Sequence, residues 1–101
     1  MERFVALGTE PFWNAKVSPG TIIYSTPENQ AGEWIAVAPT ADGAVRVFTG
    51  TRGGYPFVLR LSQQTCSDGM SDRSYRFAAE LKVGGENRQG CAEPGTALKP
   101  E

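Results

Sequence analysis

Tyr75, Phe77, Ala79, Leu81 and Val83 alternate with Arg76, Glu80 and Lys82, the two-residue period of a strand with one apolar and one wet face. The same signal recurs at short spacing along the chain, punctuated by glycine, proline and aspartate, and helix signals are nearly missing. A chain so patterned is restricted to all-β folds.

Arg3 to Leu7 is a short apolar run. Phe12 to Val17 places Trp13, Ala15 and Val17 on one face and Asn14 and Lys16 on the other. Ser18-Pro19-Gly20 predicts a tight turn, and Thr21 to Thr26 a β-branched strand that completes a hairpin. Trp34 to Ala38 and Ala44 to Thr49 read as partners around Thr40-Ala41-Asp42-Gly43, since Asp-Gly suits a reversal. Gly50 to Gly54 reads as a break. Phe57, Leu59 and Leu61 share a face opposite Val58, Arg60 and Ser62, and the turn Gly84 to Asn87 precedes a last strand over Arg88 to Ala92. Seven or eight short antiparallel strands leave a small closed barrel or a two-layer sandwich. The barrel is the expectation, because successive hairpins can close on themselves and remove exposed edges. Residues 1–92 are expected to form the domain and 93–101 a loosely ordered tail.

A chain of 101 residues suffices for one domain. No apolar run approaches the roughly 20 residues of a membrane helix. With 10 basic and 11 acidic residues the formal charge is -1, so there is no global positive field to hold nucleic acid. Histidine is absent, which excludes Ser-His and Cys-His nucleophile systems within this chain and removes the commonest metal ligand. Two cysteines, Cys66 and Cys91, fit either one disulfide or two buried thiols on composition alone. Met1-Glu2 leads into a strand-like run without a basic n-region, apolar h-region or cleavage site. Two readings follow: a cytosolic protein, or a mature chain whose leader was replaced by Met1.

The least generic segment is Cys66-Ser67-Asp68-Gly69-Met70-Ser71-Asp72-Arg73. Together with Gly8-Thr9-Glu10-Pro11-Phe12-Trp13 and Gly90-Cys91-Ala92, it resembles an uncharacterised bacterial envelope and lipoprotein family whose members often accompany META-type domains. The resemblance covers residues 3 to 92. It implies a secreted, periplasmic or outer-membrane lipoprotein β domain, membrane-associated only through a lipid anchor, and it implies no enzymatic activity.

For Cys66 and Cys91 the expectation is a staple joining the signature loop to the last strand. Redox or zinc chemistry is the alternative, but a CxxC pair and a second set of zinc ligands are lacking. Asp68, Asp72, Ser67 and Ser71 offer oxygen ligands of the kind calcium takes, though without EF-hand spacing. The simpler reading has both aspartates capping their own loop, Gly69 supplying a positive φ and Arg73 neutralising a carboxylate. No metal or cofactor is expected. Trp13, Trp34, Phe12, Phe57, Tyr55 and Phe77 are assigned to the core in preference to stacking on bases or sugars. Arg46, Arg60, Arg73 and Arg76 are assigned to a solvated outer face, paired with Glu80 or Glu33.

The function expected is a non-catalytic binding or structural module of the envelope, its partner an envelope protein or a small ligand. One alternative is an envelope hydrolase or metal-dependent enzyme using Glu10, Asp68 and Asp72. Another is an inhibitor of a cell-wall lysozyme that inserts the Ser67 to Arg73 loop into the enzyme's cleft.

Overall fold

Eight strands, each paired with its sequence neighbour, run up and down and close into one antiparallel barrel when β1 pairs with β8. They are β1 (Phe4–Thr9), β2 (Phe12–Ser18), β3 (Thr21–Thr26), β4 (Asn29–Asp42), β5 (Val45–Arg52), β6 (Tyr55–Ser67), β7 (Ser74–Val83) and β8 (Glu86–Pro94). The computed structural model describes residues 3–9, 12–67 and 74–95. No helix among them is long and apolar enough to cross a membrane. Closure settles the expectation for the barrel over the sandwich, with the single disulfide in place.

Eight strands enclose an interior just wide enough for side chains to fill. Here Trp13, Phe57, Ile22, Leu59, Leu61 and Leu81 are all but fully buried. Phe4 meets Phe77 edge-on at 5.2 Å between ring centroids, and Tyr24 meets Phe57 at 5.5 Å. Small inward residues offset these large ones: Ala6 and Ala92 pair across the closing seam and are both buried. The alternations read from β2, β6 and β7 are reproduced residue for residue.

Several strands outrun their apolar cores. β4 spans 14 residues and β6 spans 13, because polar residues continue the ladders past the buried stretch. The break expected over Gly50 to Gly54 shrinks to Gly53-Gly54, whose φ values of 59° and 84° suit a two-residue type I′ reversal. The Asp-Gly reversal shifts by one: Asp42 pairs with Val45, leaving Gly43-Ala44 as the loop with only Gly43 at positive φ. At the far end β8 passes the expected boundary at residue 92, for Glu93 pairs with Val5 and Pro94 with Phe4.

Two assignments are corrected. Phe12, Trp34 and Tyr55, expected in the core, are 49%, 73% and 57% exposed. For Trp34 the reason is parity: Ile35 and Val37 take the inward positions of β4, which turns Trp34 outward. Arg46 was expected on the outer face. It shares parity with Phe48 and turns inward at one barrel mouth, with its guanidinium carbon 5.8 Å from the Phe4 and Phe77 ring centroids. The other arginine pairs stand closer to expectation. Arg60 Nε lies 3.8 Å from Glu80, while Arg76 Nε lies 3.6 Å from a different carboxylate, that of Glu93.

Candidate functional site

β6 carries a bulge between Gln63 and Cys66, and the chain beyond it reaches across to β8. There Cys66 and Cys91 form the disulfide, with Cα atoms 5.6 Å apart. Cys91 in turn pairs with Leu7 of β1. The staple therefore draws the start of the octapeptide onto the seam that closes the barrel. A depression of about 220 Å³ forms there, lined by Leu7 and Gly8, by Cys66 and Ser67, and by Gln89, Gly90 and Cys91. Glu10, Pro11, Asp68, Gly69, Met70, Ser71, Asp72 and Arg73 lie outside the described residues, and so do the loop-capping, calcium and acid–base readings built on them.

The seam admits no bulk. A β-carbon on Gly90 would fall on the Leu7 carbonyl and come within 3.0 Å of the Gly8 α-carbon. A β-carbon on Gly8 would strike the Trp13 indole nitrogen and stand 2.7 Å from the Gln89 carbonyl oxygen. Trp13 thus fills the volume that Gly8 vacates, and its Nε1 is buried with no hydrogen-bond partner. Leaving such a donor unmade costs about 1 to 3 kcal/mol, which the burial of the whole indole offsets. The two glycines and the tryptophan are one packing unit.

Beside Leu7 in register stands Asn14 of β2, and beside Asn14 stands Ser25 of β3. Here a second, larger groove of about 360 Å³ opens on the outer face, lined by Phe12, Asn14, Lys16, Ser25, Thr26, Pro27 and Gln30. Asn14 Oδ1 is buried in its wall without a partner. The next row runs Lys16, Ile23, Trp34 across β2, β3 and β4.

The two barrel mouths differ in character. Near Arg46 a hollow of about 450 Å³ is rimmed by Pro19, Pro39, Ala41 and Phe48. At the opposite mouth Arg52 donates from Nε to Glu33 at 2.9 Å and lies over the Tyr24 ring at 5.4 Å. Burial raises the Tyr24 phenol above its ordinary value, with Arg52 and then Arg88 opposing. Glu93 is a buried carboxylate that accepts the backbone N–H of Arg76 at 2.7 Å and binds β8 to β7. Among the described residues, no three histidine, cysteine, aspartate or glutamate side chains gather as metal ligands.

Sequence reasoning identified Gly8, Phe12, Trp13, Cys66, Ser67 and Cys91 and turned Asn14 and Lys16 outward, but it assigned no role to Asn14, Lys16 or Gln30. Nothing in a β2 alternation announces which outward polar residues border a groove, since that depends on residues of β3 and β4. No protein-family model, curated protein or solved structure matches the chain.

Proposed function

We propose that the protein is a non-catalytic binding module of the bacterial envelope, working in an oxidising compartment and presenting its ligand surface on the outside of the barrel around the β1–β8 seam. One observation carries this reading. The segments singled out as unusual, far apart in sequence, meet at a single depression where Gly8, Cys66, Ser67 and Gly90 line the same wall. The disulfide supports the compartment, because such bonds persist where thiols are not kept reduced. A filled interior supports binding over catalysis: ligands of an eight-stranded barrel packed with Trp13, Phe57 and Leu59 must approach from outside.

The test is a thermal-shift panel on the oxidised protein with muropeptides, β-linked oligosaccharides, phosphatidylglycerol vesicles and lysozyme as probes. A partner bound only to the native state raises the melting midpoint by mass action. The expected result is a saturable rise with one probe class. Flat midpoints with all four would refute the reading, and cleavage of a probe would return the hydrolase alternative.

A further inference from the structure

We infer that the open edge of β4 beside Trp34 takes an extended, uncharged peptide of a partner protein as an added strand. The site lies across the barrel from the β1–β8 seam and goes beyond the reading above.

β4 outruns both of its neighbours. Its pairing with β3 covers Asn29 to Ala36, and its pairing with β5 covers Val37 to Asp42. The first half therefore has no ladder on its β5 side. A single bond fixes which groups face which way: the Val37 N–H donates to the Gly20 carbonyl at 3.0 Å, on the β3 side. Successive residues of a strand direct their N–H and C=O to opposite neighbours, so Ala36 and Trp34 face β5. Gly50 agrees, since a β-carbon there would strike the Ala36 carbonyl oxygen. That carbonyl abuts β5 where the ladder ends, which leaves the Ala36 N–H and both backbone groups of Trp34 beyond it.

Other stretches that outrun a neighbour are guarded. Proline offers no N–H to an incoming strand and so blocks an edge. Pro39 shares the parity of Val37 and turns its nitrogen to the open β3 side, and Pro56 precedes the first β6 pair with β7, at Val58. The end of β6 is bulged and tied by the disulfide, while the start of β8 carries the ion pair of Arg88 with Glu86 at 2.7 Å. Asn29 to Ala36 contains neither proline nor lysine. Gly32, at φ 95°, and the register shift after Tyr24 limit the usable edge to Glu33 through Ala36.

A backbone edge selects its occupant. Only another extended chain presents N–H and C=O groups at ladder spacing, which a sugar or a lipid headgroup lacks. The edge is also one wall of a slot, because β5 runs on through Thr51 and Arg52, and Arg52 Nε donates across to Glu33 at 2.9 Å. A second copy would have to bring its own β5–β6 hairpin into that slot. A single strand needs only to part an ion pair whose side chains are 41% and 40% exposed, a weak tie. Glu33 shares the inward parity of Ile35, so the ion pair forms the floor, while Trp34 and its β3 neighbour Ile23 stand outward. The added strand would place apolar side chains outward against Trp34 and small hydroxyl side chains inward over the ion pair.

The probe is an end-blocked pentapeptide of alternating valine and threonine, titrated into ¹⁵N-labelled oxidised protein. Saturable shifts and slowed hydrogen exchange are expected at the Trp34 and Ala36 amides. Methylating the backbone nitrogens of one alternate set of the peptide should abolish binding and methylating the other set should spare it, because only one set faces β4. Ala36→Pro removes an open N–H and keeps the carbonyl that meets β5; it should abolish binding. Trp34→Ala should weaken binding about tenfold with the melting midpoint unchanged. Should Ala36→Pro not fold, the methylated peptides test the same bonds on the native chain. Protection of both amides in the free protein would overturn the inference, as would equal binding by the two methylated peptides or no saturable shift up to roughly 10 mM. Protection that rises with protein concentration alone, with a dimer in sedimentation, would overturn it by giving the edge to a second copy. Shifts confined to Gly8, Ser67 and Gly90 would overturn it too, and would leave the seam reading standing.

Discussion

Gly8 stands opposite a side chain, not in a turn, and what it makes room for is the Trp13 indole. Gly8→Ala is therefore expected to destabilise the barrel by about 1 to 3 kcal/mol through overpacking, measured by urea unfolding. Combining it with Trp13→Phe should return part of that loss, because the indole supplies two of the three atoms in the way; strict additivity would contradict the packing unit. Tyr24 gives a pH prediction. Its folded-state pKa is raised by burial, so the folded protein favours the neutral phenol while the unfolded chain ionises near the ordinary value of ~10. The contribution is intact below pH ~10 and is lost as pH climbs through the higher folded value. Melting midpoints should fall across that alkaline window, and less steeply in Tyr24→Phe. At this scale the sequence was legible where large and small apolar residues alternate with charged ones, as in β7. It was ambiguous at Trp34, because Trp34, Ala36 and Ala38 are as apolar as Ile35 and Val37, and only the β3 register decides which set turns inward.

At the scale of elements, the staple joins β6 to β8 over the strand that separates them. With a sequence separation of 25, the chain-entropy treatment assigns the crosslink about 3 to 4 kcal/mol. Chemical reduction, or a Cys66→Ala and Cys91→Ala double variant, should lower the urea midpoint correspondingly. An unchanged midpoint would mean that the seam holds without it. Strand existence and order were readable from turn chemistry: Pro19-Gly20, Gly53-Gly54 and Gly84-Gly85 each lie at a reversal. Strand length was not. Arg52 and the polar end of β6 read as loop residues, yet the first packs over Tyr24 at a barrel mouth and the second carries Cys66 to β8. Neither contact has a local signal. Closure of the barrel was expected, but the register across the β1–β8 seam was not legible, since the pairing of Leu7 with Cys91 has no local signal either.

For the whole molecule, closure assigns every side chain of a regular strand to one of two environments. The inside is a core: Leu59→Ala at the fully buried centre of β6 is expected to cost about 2 to 5 kcal/mol. The outside carries the proposed ligand surface, which depends on which residues the register turns outward. A slip of one residue would exchange the two sets throughout a strand. The two tryptophans report this division directly, because Trp13 is 1% exposed and Trp34 is 73% exposed. Acrylamide quenching of fluorescence in the single-tryptophan variants Trp34→Phe and Trp13→Phe measures each in turn. Trp13 should emit to the blue and resist quenching, while Trp34 should emit as in water and be quenched freely. Equal quenching of the two would contradict the inside and outside of this barrel, and with them the surface on which its function is placed.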